Sequence, residues 1–116
     1  MLFSALFSCS AQEAKIIHKL SVKTFKEHIV GAKVQLIDVR TPKEYKEGFI
    51  KDAVLMNFFA DDFKKNITQL NTEKPVYVYC KSGGRSGKTA KMLKKIGFKT
   101  VYDLKGGYVA WLTQER

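Results

Sequence analysis

Residues 76–89 read VYVYCKSGGRSGKT: the apolar, β-favouring run Val76-Tyr77-Val78-Tyr79 turns at Cys80, passes Gly83 and Gly84, and continues into Gly87-Lys88-Thr89. A short apolar run bounded by breakers is a buried strand. The residues after it, 86–96, set Lys88, Lys91, Lys94 and Lys95 against Ala90, Leu93 and Ile96, the spacing of a helix with a basic outer face. Working outward, Val34-Gln35-Leu36-Ile37-Asp38-Val39 repeats the strand signal, and residues 53–56 and 100–104 are shorter candidates. Helical patterns fall at 21–30, 42–46, 59–70, 86–96 and 108–114. This alternation predicts an α/β fold with a mostly parallel central β-sheet and helices on both faces. Ligands of such sheets bind beyond the carboxyl ends of the strands, where the loop starting at Cys80 lies.

A chain of 116 residues with 45% hydrophobic content supports one domain, burying roughly two-thirds of its unfolded surface. Residues 15–116 are assigned to it, and 1–14 to a leader-like or disordered segment. Lys+Arg of 21 against Asp+Glu of 11 gives a formal charge of +10, which suits anionic ligands. The lysines are scattered and no aromatic-basic RNA motif accompanies them, so a solvated basic surface is read and no nucleic-acid partner is expected. Leu6-Phe7-Ser8-Cys9 is similar to the lipobox of bacterial lipoproteins. On that reading Cys9 carries a lipid anchor and the protein is periplasmic or membrane-tethered; the alternative is a plain tail on a cytoplasmic protein. Two cysteines, Cys9 and Cys80, make no disulfide framework. With His18 and His28 unpaired to either in spacing, no metal site is expected. No cofactor is called for, and a monomer is expected.

Three chemistries compete for the loop. A Walker A nucleotide loop needs Gly-x-x-x-x-Gly-Lys-[Ser/Thr], and counting back from Gly87-Lys88-Thr89 puts Ser82 where the first glycine belongs. A tyrosine-phosphatase loop has five residues between its cysteine and arginine, whereas Cys80 and Arg85 enclose four. That ring is one amide short for a phosphoryl group attacked at phosphorus.

The six-residue loop Cys80–Arg85 instead resembles the active loop of the rhodanese family of single-domain sulfurtransferases. Leu36-Ile37-Asp38-Val39-Arg40-Thr41-Pro42-Lys43-Glu44-Tyr45 is similar to that family's Asp-Val-Arg-x-x-x-Glu-[Tyr/Phe] segment. Gly48-Phe49-Ile50-Lys51-Asp52-Ala53 resembles its Gly-His-Ile-Pro-Gly-Ala stretch, with Phe49 for histidine and Lys51-Asp52 for Pro-Gly. Gly106-Gly107-Tyr108-Val109-Ala110-Trp111 matches its closing Gly-Gly-x-x-x-Trp. These four motifs, in the family's order, lie within a region of roughly residues 16 to 114.

The resemblance implies transfer of a sulfane sulfur. The Cys80 thiolate attacks the outer sulfur of thiosulfate or another small anionic donor, becomes a persulfide, and passes the sulfur to a thiol or to cyanide. A non-enzymatic binding or sulfur-carrier module is the alternative. Thiolates are favoured beside helix amino termini and cations, and Ser86 is expected to begin the following helix. Gly83 and Gly84 allow the backbone to curl into an anion nest with Lys81 and Ser82 at its rim. Arg85 is expected to anchor the loop, and Lys81 to meet the sulfite end of thiosulfate. Asp38, Arg40 and Glu44 are read as structural support, an Arg40–Glu44 salt bridge clamping the strand exit while Asp38 accepts backbone hydrogen bonds. Tyr108 and Trp111 are read as helix-docking residues, and the two histidines as packing or surface residues.

Overall fold

The structure, a computed structural model, describes residues 15–114; the leader-like segment and its Cys9 lie outside them. Five strands, β1 (Ile17–Leu20), β2 (Gln35–Asp38), β3 (Val54–Leu55), β4 (Val76–Tyr79) and β5 (Val101–Leu104), form one sheet in the order β1-β5-β4-β2-β3. Every pairing is parallel. The helices are α1 (Val22–Ile29), α2 (Pro42–Lys46), α3 (Phe63–Ile67), α4 (Gly84–Lys95) and α5 (Gly107–Gln114).

Strand side chains alternate between faces, and here both faces are apolar. Ile37, Val39, Val76, Val78, Cys80 and Val101 pack with Phe63 and Ile67 of α3 and with Ala90 and Leu93 of α4. Leu36, Tyr77, Tyr79 and Leu104 pack with Val22, Phe25 and Ile29 of α1, and Tyr108 and Trp111 of α5 join them. Each fully buried Val, Leu, Ile or Phe contributes roughly 1.5–3 kcal/mol, so this double coverage accounts for the burial of β4 along its whole length. Cys80 is in phase with Val76 and Val78, which commits its sulfur to the α4 side.

Three elements differ from the sequence reading. β1 is a strand that the reading lacked: His18 and Lys19 interrupt its apolar pattern, and as an edge strand it pairs only with β5. The helix expected over 59–70 shrinks to Phe63–Ile67, because beyond it Thr68, Gln69 and Leu70 bond three residues back in tight turns. The helix expected from Ser86 begins at Gly84, with Gly83 as its amino-terminal cap.

The Lys51-Asp52 departure from the family pattern leaves a closed turn. Asp52 takes a left-handed φ of 70°, one of the few side chains that do so at modest cost, and the Ala53 amide donates to Ile50 O at 2.9 Å.

Candidate active site

Cys80 directly follows β4 with its side chain inside, 1% exposed. The Gly83 amide donates to its Sγ at 3.0 Å, and Sγ lies 3.5 Å from Ser86 Oγ. Gly83 has φ of 125° with open space around its missing Cβ, so it is the backbone angle rather than packing that calls for glycine. Its amide is thereby turned back onto the sulfur. From Gly84 onward the first-turn amides of α4 have no intrahelical acceptors, which sets the positive end of the helix at the cysteine loop.

Arg85 leaves that first turn and closes the loop against α2. Its Nη1 donates to Glu44 Oε1 at 2.7 Å and its Nη2 to Oε2 at 3.0 Å, a two-bond fork. Glu44 is itself held by a capping box: its carboxylate accepts from the Thr41 amide at 2.9 Å, and its own amide donates to Thr41 Oγ1. The Arg85 hydrogen bond is the largest reason the Glu44 carboxyl is drawn down to about 2. Arg85 therefore sits as an anchor, and the exposed Phe59 lies over its guanidinium at 5.8 Å.

The Arg40–Glu44 clamp is corrected by this geometry, since Glu44 faces Arg85. Arg40 pairs instead with Asp38, two residues back on the same face of extended chain, through Nη2–Oδ2 at 2.7 Å and Nε–Oδ1 at 2.9 Å. Asp38 also accepts the Arg40 amide at 3.0 Å. Arg40 goes on to donate to Gly48 O at 2.7 Å and lies 4.3 Å over the Tyr108 ring. Beside it, Tyr79 accepts the Ile50 amide at 3.0 Å, and burial pushes its phenol far above the ordinary range. The buried ion pair thus ties the end of β2 to the 48–50 segment and to α5.

The Gly-Gly-x-x-x-Trp motif has a direct structural purpose. The Tyr108 amide donates to Cys80 O at 2.8 Å, and the Val109 amide to Lys81 O at 3.0 Å. The start of α5 therefore fixes the first two carbonyls of the loop. Lys81 and Ser82 project into solvent at the rim.

His28 Nδ1 bonds Tyr77 OH at 2.9 Å, and His18 rests 5.3 Å from the Tyr102 ring, both on the opposite sheet face from Cys80. Thr41 and Phe59 join the site without having been singled out in the sequence, and Asp103 of β5 is buried on the same sheet face as Cys80. Asp103 was legible in principle as a charged residue in an apolar strand. A groove of about 830 Å³ elsewhere, lined by Val30, Val34, Lys51 and Trp111 among others, lies by the amino ends of β2 and β4, away from the cysteine.

A family model described as the rhodanese-like domain matches residues 21–114. The chain belongs to that family. The crystal structure of a rhodanese-like domain protein from Staphylococcus aureus aligns with a TM-score of 0.71 and 30% identity, covering 80% of this chain and 89% of that one. The Bacillus subtilis protein YqhL is 43% identical over 79 residues, 68% of this chain and 61% of its own length. A protein of Allochromatium vinosum named sulfurtransferase is 33% identical over 78 residues, 67% of this chain and 71% of its own length. The tRNA uridine(34) hydroxylase of Acinetobacter baumannii is 35% identical over 102 residues, 84% of this chain and 32% of its own length. The chain thus spans less than two thirds of YqhL and of the hydroxylase.

Proposed function

We propose that this domain is a sulfurtransferase that takes sulfane sulfur from thiosulfate or a persulfide donor onto Cys80 and passes it to a thiol or to cyanide. The observation that carries the reading is the Gly83 amide donating to Cys80 Sγ, inside a six-residue loop that Arg85 and Glu44 lock shut. An amide aimed at the sulfur stabilises negative charge on it, both as attacking thiolate and as persulfide. The Cys80 thiolate forms the new S–S bond as the bond between the outer sulfur of thiosulfate and its sulfonate sulfur breaks, and sulfite leaves with the electron pair. An acceptor nucleophile then takes the terminal sulfur and restores the thiolate. Lys81, exposed at the rim, supplies the positive charge that meets the sulfonate end. A relative named sulfurtransferase supports this reading.

Thiosulfate:cyanide turnover tests it, with intact mass measured after thiosulfate alone. Turnover together with a gain of one sulfur on Cys80 is expected. Sulfur loading with no discharge to cyanide or to small thiols would favour the carrier-module alternative. The lipid anchor at Cys9 is part of the proposal for the whole protein. Among the described residues no helix is long and apolar enough to cross a membrane. Expression with the native upstream start followed by membrane fractionation tests it.

A further inference from the structure

The groove of about 830 Å³ lies at the end of the sheet opposite Cys80, on the face covered by α1 and α5. Its floor is apolar, made by Leu36, Ile50, Tyr77 and Trp111, and its volume falls within the ~300–1,000 Å³ of small-molecule sites. Three loops wall it, and each is pinned. Gln35 Nε2 donates to Asn71 O at 2.9 Å and to Pro75 O at 3.2 Å, while its Oε1 accepts the Asn71 amide at 2.6 Å. The Tyr45 hydroxyl donates to Ala53 O at 2.7 Å beside the Asp52 turn. Where α1 ends, the Ala32 amide donates to Ile29 O at 3.2 Å and Gly31 takes a left-handed φ of 74°. Val30, on that same wall, is 64% exposed, which adds apolar surface to the mouth of the groove.

We propose that this groove binds a free amphiphile with an apolar body and a single anionic head, of which a medium-chain carboxylate is the simplest representative. The body lies against Leu36, Tyr77 and Trp111, and the head among Lys33, Lys51 and Lys74.

Charge selects the head. Lys33, Lys51 and Lys74 stand exposed around the groove against one acid, Asp52, and no ion pair among the described residues engages them. Lys26 adds a further cation, its Nζ 5.8 Å over the Trp111 ring. Lysines carry their charge on flexible stems, so several can converge on one compact anion. The floor selects the body, since each methylene moved out of water onto it adds to binding. The same charges disfavour other occupants. A second copy would set these lysines against themselves in a two-fold contact, on a chain of formal charge +10. Residues 1–14 hold one acid, Glu13, which leaves the lysines unmatched. A bilayer presents a broad surface, whereas this site is recessed between loops.

The assignment does not depend on the sulfur chemistry, and Cys80→Ser should bind as the parent does. Trp111 is the chain's single tryptophan and lines the groove, so its fluorescence reports occupancy. Sodium decanoate, titrated into the full chain below its micelle-forming concentration, should give a saturable blue shift. Decanol should bind on the order of tenfold more weakly, the head being worth two or three exposed cations, and decyltrimethylammonium should give no shift. Lys33→Ala/Lys74→Ala should weaken decanoate on the order of tenfold, at up to about fivefold for each exposed cation, with an unchanged Tm. Val30→Asp should abolish binding from an exposed position; if that variant fails to fold, the lysine pair decides. No saturable shift in the parent, equal shifts with all three probes, or parent-like affinity in the lysine double variant would overturn the assignment. So would a Trp111 emission that ignores decanoate and shifts instead with protein concentration, marking a second copy, or with anionic vesicles, marking a membrane. Decanoate binding that emerges only in Phe3→Ser/Phe7→Ser would assign the groove to residues 1–14 and overturn it equally.

Discussion

Gly107 stands so close to Lys81 that a Cβ built on it would lie 2.5 Å from the Lys81 carbonyl and 2.6 Å from that of Cys80. Its φ of 62° is also one that other side chains rarely adopt. Gly107→Ala should therefore push α5 off the loop, costing about 2–3 kcal/mol of stability and roughly 10 °C in Tm. Sulfur transfer should fall with it, because the amides of Tyr108 and Val109 lose the carbonyls they fix. Calorimetry and turnover on one sample check this; a parent-like Tm would show that α5 docking is looser than the contact implies.

Cys80→Ser should fold with the parent's Tm, since an isosteric group replaces sulfur at the same buried corner, yet transfer no sulfur. An alcohol stays protonated where a thiol ionises, and it forms no persulfide. Residual turnover near the parent rate would remove Cys80 from the nucleophile's role.

The Glu44–Arg85 pair gives a pH signature with a definite sign. Glu44 titrates at about 2 in the folded protein against an ordinary 4.5. A carboxylate depressed on folding adds stability that is fully present above the unfolded value and is lost as pH falls through the folded one. Urea unfolding of the parent and Glu44→Gln should therefore differ by a constant amount above about pH 5, with the gap closing between about pH 4.5 and about 2. A gap that persisted unchanged to the acid end would mean that the loop is not held by this pair.

Much of this site was legible in the sequence, and the remainder shows what a sequence does not carry. The strand–loop–helix corner at Cys80 could be read because apolar runs and glycines act locally. Asp38, Arg40 and Glu44 could be read as an ionic set, but not in their pairing. Which guanidinium meets which carboxylate depends on how α2 is set against α4, and the nearest candidate in sequence, Arg40, is drawn to Asp38 by the alternation of extended chain. The proximity of Gly107 to Lys81 arises from β5 lying beside β4 in the sheet, a long-range fact that no local pattern encodes.

Lys81→Ala should raise the KM for thiosulfate about fivefold, the size expected for losing one exposed cation from an anion site, while leaving a neutral persulfide donor unaffected. Steady-state kinetics with both donors separates these. Equal effects on both would return Lys81 to a solubility role.

The most direct test of the central claim is the intact mass of the purified protein after exposure to thiosulfate, read before and after cyanide, with aryl phosphate hydrolysis assayed on the same sample. A loop enclosing four residues between Cys80 and Arg85 presents the sulfur to a protruding sulfane atom but does not bring a phosphorus within the ~3–3.5 Å attack distance. The expected result is a gain of one sulfur atom localised to Cys80, its removal by cyanide, and no phosphate release. A protein that hydrolyses aryl phosphate while its mass stays unchanged in thiosulfate would contradict the account.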